Sequence, residues 1–292
     1  MSWHITSDPH AFDAAAGAFL AAEPTRNTVL ISVPSMLRHN GPGTFGPEPP
    51  GLGWFETDAA DGAEDERAGA IQAVFVHTPP HPLLLSPLPD GAAELLVAAL
   101  IDAGRSPSAV DGPVDSAQAF ADAWRAATGR FHVVRRRTRL HVLPELIWPS
   151  PMPPGAARIG TEADLELLTR WYVEFGEEAG EPRPTMEPIV RDRIGYGGLT
   201  LWEVDGVPVS MAGVTRMLDG GGKRVAPVYT PKQLRGRGYA GAVTATVSQA
   251  ALDAGAAEVS LFTDLANPTS NALYQRLGYR ALEDRVILEF EG

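Results

Sequence analysis

Between Pro144 and Pro154 the chain places five prolines in eleven residues. No segment of that kind can continue a helix or fill a central strand, because each ring fixes φ and removes a backbone donor. The 292-residue chain is therefore read as two domain-sized stretches, 1–145 and 157–292, joined by a proline-rich linker at 146–156. With 44% hydrophobic and 21% charged residues, each stretch can bury a core of its own.

The first stretch reads as α/β. An alanine-rich helix over 11–22 is followed by an apolar strand at Thr28–Val33, an irregular Gly-, Pro- and acid-rich loop over 35–64, and a strand at 70–76. Helices at 92–103 and 116–128 then lead to a pair of short Arg-rich strands over 131–143. In the second stretch Thr161 caps a helix running to about Gly180, and another helix covers 186–194. Strands at 199–203 and 207–214 flank Asp205-Gly206, a two-residue hairpin signal, and a third strand runs over 225–230. A helix at 238–253, a strand at 258–263, a helix at 269–277 and a closing strand at 285–290 give the order ααβββαβαβ.

Composition narrows the function classes. The net charge of −12 opposes broad binding to nucleic acid or an anionic membrane. The absence of cysteine leaves neither disulfides nor thiolate metal sites and suits a reducing cytoplasm. Neither an amino-terminal leader nor a bilayer-length apolar run is read, so a cytoplasmic protein is expected. All seven histidines lie between His4 and His141, which leaves the second stretch without imidazole for acid–base chemistry. His77 and His81 have metal-ligand spacing for a helix, but the intervening Pro79 and Pro80 break one, and no metal is expected.

The chemistry concentrates at Lys232-Gln233-Leu234-Arg235-Gly236-Arg237-Gly238-Tyr239-Ala240, between the strand at 225–230 and the next helix. Glycines allow close approach, and the first amides of a helix have no partner within it. With the macrodipole and Lys232, Arg235 and Arg237, the helix start is matched to a pyrophosphate. The stretch from Gly236 to Gly241 also fits a dinucleotide fingerprint, with Asp264 beyond it, but the preceding antiparallel hairpins and the short remaining chain do not suit a doubly wound sheet.

This loop resembles the phosphate-binding signature of the GNAT superfamily of N-acetyltransferases, which this sequence matches at Arg235, Gly238 and Ala240. By that resemblance residues 235–240 (Arg235, Gly236, Arg237, Gly238, Tyr239 and Ala240) cradle the pyrophosphate of acetyl-CoA, and the backbone of Val228, Tyr229 and Thr230 meets its pantetheine arm. Asn267-Pro268-Thr269-Ser270-Asn271-Ala272-Leu273-Tyr274-Gln275-Arg276-Leu277-Gly278-Tyr279 resembles the superfamily's second signature. It implies coenzyme contacts from Asn267 and Asn271, with Tyr274 as the acid that protonates the departing thiolate. The same residues have plainer readings. Asn267 before Pro268 can simply open a helix, and Leu273, Tyr274 and Leu277 have the spacing of a packed helical face.

The superfamily often places a glutamate on the strand before the loop; Val225, Ala226, Pro227 and Val228 stand here instead. Glu174, Glu177, Glu178 and Glu181 have two readings, an acidic cluster that attracts a cationic amine or a solvated helical face. The first stretch resembles the degenerate half of a tandem member, its Val74-Phe75-Val76 strand leading into His77-Thr78-Pro79-Pro80-His81-Pro82 without a glycine cradle. The expectation is two GNAT-like domains, each a mixed, mostly antiparallel sheet flanked by helices. The implied reaction transfers acetyl from acetyl-CoA to an amine, a small molecule rather than a protein. A non-catalytic acyl-CoA sensor is the alternative.

Overall fold

A computed structural model of the chain describes residues 1–57, 70–180 and 186–291. Its elements run β1 (Ser2–Thr6), α1 (Pro9–Ala22), α2 (Thr28–Asn40), β2 (Gly51–Glu56), β3 (Ile71–His77), β4 (Leu83–Leu85), α3 (Ala92–Asp102), β5 (Ala109–Pro113), α4 (Val114–Thr128) and β6 (Phe131–Val142). They continue as β7 (Ala156–Ile159), α5 (Leu165–Glu178), α6 (Glu187–Gly195), β8 (Leu199–Val204), β9 (Val207–Val214), β10 (Gly222–Tyr229), α7 (Tyr239–Asp253), β11 (Glu258–Asp264), α8 (Pro268–Arg276) and β12 (Arg280–Glu291). Short 3₁₀ turns aside, the order βααβββαβαβ occurs twice. The chain divides into two compact units, Met1–Leu140 with Asp264–Ala266 and Glu283–Gly292, and His141–Thr263 with Asn267–Leu282.

In unit 1 the strands lie in the order β1-β2-β3-β4-β5-β12, with β4 and β5 parallel and the other pairs antiparallel. Phe75, Leu96, Phe120 and Trp124 form its core together with Val286, Leu288 and Phe290 of the last strand. The closing strand, read from sequence as part of the second domain, thus pairs with β5 from Arg285↔Pro113 to Glu289↔Ala109. Arg285, almost fully buried, binds Asp111 at 3.1 Å and the Leu85 carbonyl at 3.2 Å.

Three sequence expectations for this unit are corrected. Thr28–Val33 is helical within α2, because Leu30, Ile31, Pro34 and Leu37 bury one helical stripe. The supposed irregular loop contains β2, and its glycines are there for contact. A Cβ on Gly53 would lie 2.3 Å from the Phe75 ring, and one on Gly51 would lie 2.6 Å from the Arg105 guanidinium. The Arg-rich segment is one strand, β6, rather than two. The strand-to-helix connection equivalent to the second half's glycine loop is Ser86–Gly91, between β4 and α3. It carries Asp90 where the other carries arginines, but, contrary to the expectation of a loop without glycine, it holds Gly91 in the left-handed region (φ 77°) at the start of α3, as Gly238 stands at the start of α7.

His77 ends β3 with 4% of its surface exposed. Burial first, then the charges of Arg105 and His81, push its pKa down to about 4. Since the unfolded chain takes up this proton near pH 6.5 and the folded one does not, stability is lost as pH falls from 6.5 through 4, by on the order of 3 kcal/mol in full. His77→Gln is expected to flatten that part of the melting-temperature profile. Parallel profiles for variant and wild type would assign the acid sensitivity to other groups.

In unit 2 the strand order is β11-β10-β9-β8-β7, parallel between β10 and β11 and antiparallel elsewhere. This is the hairpin-led sheet expected from sequence rather than a doubly wound one. Asp205 (φ 51°) and Gly206 (φ 76°) make the turn between β8 and β9, both central residues lying in the left-handed region as a type I′ hairpin requires. Thr161 and Asp164 form a capping box at the turn leading into α5. The proline-rich segment lies within this unit. Its carbonyls serve as acceptors, Pro154 taking the Trp202 indole at 3.0 Å, while the Ile147 amide binds the Leu277 carbonyl at 3.0 Å.

Candidate active site

After β10 the chain makes a 3₁₀ turn at Lys232–Leu234 and reaches α7 through Gly236 (φ 75°) and Gly238 (φ 85°). These backbone angles explain both glycines, since a Cβ would meet nothing within 4 Å at Gly236 and only Pro153, at 3.6 Å, at Gly238. Residues Arg235–Gly238 are exposed, whereas Tyr239 is buried beneath the helix start. Ala242 donates to the Gly238 carbonyl at 3.1 Å, so the amides of Tyr239, Ala240 and Gly241 precede the first turn's bond and have no acceptor within the helix. An open loop, a helix amino end whose first amides have no acceptor within the helix, and Arg237 at the surface offer donors and positive charge suited to a phosphate group.

The three cations are used differently. Arg235 is tied into the fold, its Nε on the Thr230 carbonyl at 2.8 Å and its Nη2 on Glu178 at 2.6 Å. Lys232 stands 3.9 Å from Glu178 with its side chain 75% exposed. Arg237 is exposed and donates to the Gln233 carbonyl at 3.4 Å. Arg235 therefore holds the loop against the end of β10, and Arg237 and Lys232 supply the outward charge.

The strand leading to this loop is separated from its parallel neighbour. Pairing of β10 with β11 covers Gly222–Arg224 against Glu258–Ser260, although both strands run several residues further. On the other edge the register with β9 shifts between Val225 and Val228, a bulge that contains Pro227, which has no amide hydrogen to give. Beyond it, buried Ser210 donates to the Tyr229 carbonyl at 3.0 Å and lies 2.8 Å from the Thr230 hydroxyl. In a trans peptide the carbonyl and amide point in opposite directions. With Tyr229 O turned toward Ser210 on β9, the Thr230 amide of the same plane points to the side that β11 has left. Sequence reasoning named Val228, Tyr229 and Thr230 but missed Ser210, which carries no local signal.

Asn267 caps α8, its Oδ1 accepting from the Ser270 amide at 3.1 Å. Asn271 donates to the Asn267 carbonyl at 2.8 Å and accepts from Thr263 at 2.6 Å. Both asparagines have structural work at the helix entry. Tyr274 is 8% exposed, with its ring edge-on to Tyr279 at 6.0 Å, and burial pushes its phenol above the ordinary value. The helical packing seen from sequence is real, since Tyr274 and Leu277 belong to the core that also holds Tyr239.

On the opposite face, Tyr229 donates to Glu174 at 2.8 Å and lies 3.4 Å from Glu178. Burial and the Glu174 carboxylate raise its phenol. Of the four glutamates noted in the sequence, Glu174 and Glu178 meet at Tyr229, Glu177 is exposed, and Glu181 lies outside the described residues. Among the described residues no group of three or more His, Asp or Glu could hold a metal ion, and no helix is long and apolar enough to cross a membrane.

Residues 165–279 match the family model described as Acetyltransferase (GNAT) family. The fold is shared with a Drosophila protein (TM-score 0.64, 13% identity, 98% of each chain). It is also shared with a GCN5-related N-acetyltransferase from Sphaerobacter thermophilus (TM-score 0.59, 20% identity, 98% of this chain and 94% of that one). A tandem GNAT protein from the clavulanic acid biosynthesis pathway is similar over 99% of this chain and 98% of its own (TM-score 0.53, 10% identity). No curated protein matches the sequence.

Proposed function

We propose that unit 2, whose residues 165–279 match the family model described as Acetyltransferase (GNAT) family, transfers an acetyl group from acetyl-CoA to a primary amine, a small molecule rather than a protein. One observation carries the reading: the left-handed glycine loop and bare helix start stand directly after a strand that has parted from its parallel neighbour. Amides at the start of α7, from Tyr239 on, with Gly236 and Gly238 shaping the approach and Arg237 at the rim, suit a pyrophosphate. The Val228–Thr230 backbone suits an extended arm, with the Thr230 amide as donor to the thioester carbonyl. Asn267 and Asn271 shape the neighbouring helix entry.

The cosubstrate supplies an activated acetyl thioester. The amine nitrogen forms a bond to the acetyl carbon, the carbon–sulfur bond breaks, the amine's proton passes to a base, and the thiolate takes a proton from Tyr274. A phenol is protonated at neutral pH and can give its proton to a thiolate of comparable basicity. Glu174 and Glu178 place negative charge beside Tyr229, on the face where a cationic amine would be favoured.

Calorimetry of the full chain tests the coenzyme assignment. The wild type is expected to bind acetyl-CoA and not NADH, and to consume the thioester when amines are supplied. Gly238→Trp is expected to weaken acetyl-CoA binding by about tenfold or more, since a left-handed non-glycine residue costs about 1–2 kcal/mol before any obstruction. Preference for NADH, or undiminished affinity in the variant, would overturn the site.

A further inference from the structure

Arg193, near the end of α6, donates through Nη1 to the Ala226 carbonyl. That carbonyl belongs to the bulge between Val225 and Val228, where the β9–β10 register shifts. The opposite strand makes room for it: a Cβ on Gly213 would lie 2.7 Å from both Arg193 Nη1 and Ala226 O, and 3.1 Å from Pro227 Cδ. Glycine at 213 is thus explained by the guanidinium passing through its place. The arginine is itself held on several sides. Its guanidinium lies over the Tyr172 ring at 5.9 Å, and its carbonyl accepts from Gly198 at 2.8 Å. Next to it Asp192 binds Arg216 at 2.8 Å. Arg216 covers Tyr196 at 4.1 Å, and the Tyr196 hydroxyl donates to the Val214 carbonyl at 2.9 Å.

We propose that Arg193 is a positioning residue that fixes the β10 bulge and so aims the Thr230 amide at the reacting thioester. The assignment rests on the acetyl-transfer reading above. Ladder pairing is interrupted at the bulge, and the carbonyl there needs another donor. Arg193 supplies it from a helix rather than from a neighbouring strand. Ser210 fixes the far end of the same segment through Tyr229 O. Between these two anchors the planes of residues 226–230 have little freedom, and a donor displaced by about 1 Å from the reacting atom forfeits on the order of 100-fold in rate.

Three full-length variants test this: Arg193→Met, Arg193→Lys, and Gly213→Ala, whose added methyl wedges donor and acceptor apart while the arginine stays in the sequence. Two readouts are taken on each, turnover against acetyl-CoA affinity and amide hydrogen exchange over 226–230 in the free protein. Arg193→Met and Gly213→Ala are expected to lower kcat about 100-fold with the acetyl-CoA Kd within about threefold of wild type. Exchange at 226–230 should rise, and Arg193→Lys should recover part of both losses. Unchanged exchange in Arg193→Met and Gly213→Ala, or a Kd that worsens in step with kcat, would reject the positioning role. A wild type that ignores acetyl-CoA would instead reject the proposed function and, with it, the thioester as the target, while exchange would still report whether Arg193 holds the bulge.

Discussion

Replacing Tyr274 with Phe is expected to lower kcat by about 10²- to 10⁴-fold, the usual range for loss of a positioned acid, while acetyl-CoA affinity stays within about threefold. The substitution removes one oxygen and keeps the ring that packs edge-on to Tyr279 at 6.0 Å. Turnover is thus separated from folding. Because burial raises this phenol, it is protonated throughout the neutral range, and no alkaline fall in kcat due to Tyr274 is expected below about pH 10. The loss should shrink for acyl donors whose thiol is more acidic, since such a leaving group needs less protonation. Unchanged turnover across several amines would return Tyr274 to the role of a core residue.

Gly278→Val carries the largest expected effect on stability, about 3–5 kcal/mol from left-handed strain and overpacking together. Gly278 has φ 99°, and a Cβ there would lie 2.0 Å from the Glu145 carbonyl and 3.4 Å from Ile147. Backbone stands in the way, so no rotamer change relieves the contact. Gly255→Ala is the control, having φ 84° and nothing within 4 Å of an added Cβ; it should cost only about 1–2 kcal/mol. Denaturant midpoints for the two variants measure the difference. Equal midpoints would mean that the segment around Glu145 yields freely and does not clamp the end of α8.

Unit 2 was largely legible in the sequence because its signals are local. Asp205-Gly206, the Thr161 cap, Asn267-Pro268 and the glycines at 236 and 238 each declare a backbone angle or a helix end within a few residues. Unit 1 was less so, since Thr28–Val33 has the β-branched composition of a strand and becomes helical only through the stripe it buries. Gly51 and Gly53 look like loop residues until the side chains of Arg105 and Phe75 occupy the space. In the candidate site, Val228–Thr230 were named through the resemblance of the loop that follows them, but Arg193, Ser210 and Gly213 could not be. Their contacts with β10 cross 33 residues for Arg193 and 19 for Ser210, and depend on a bulge that no residue type announces. The proline-rich segment misled for a related reason: prolines that cannot join a ladder still offer carbonyls, and here those carbonyls and flanking amides pack into unit 2.

The assignment of Glu283–Gly292 to unit 1 bears on how the chain comes to be made. Until residues 283–290 leave the ribosome, β5 lacks its antiparallel partner, Asp111 lacks Arg285, and Phe120 and Trp124 lack Phe290. Unit 1 is thus completed only after unit 2 has been synthesised. Its sheet edge must wait through the synthesis of all of unit 2, and a gene cut at the proline-rich segment would encode an amino-terminal product missing a core strand.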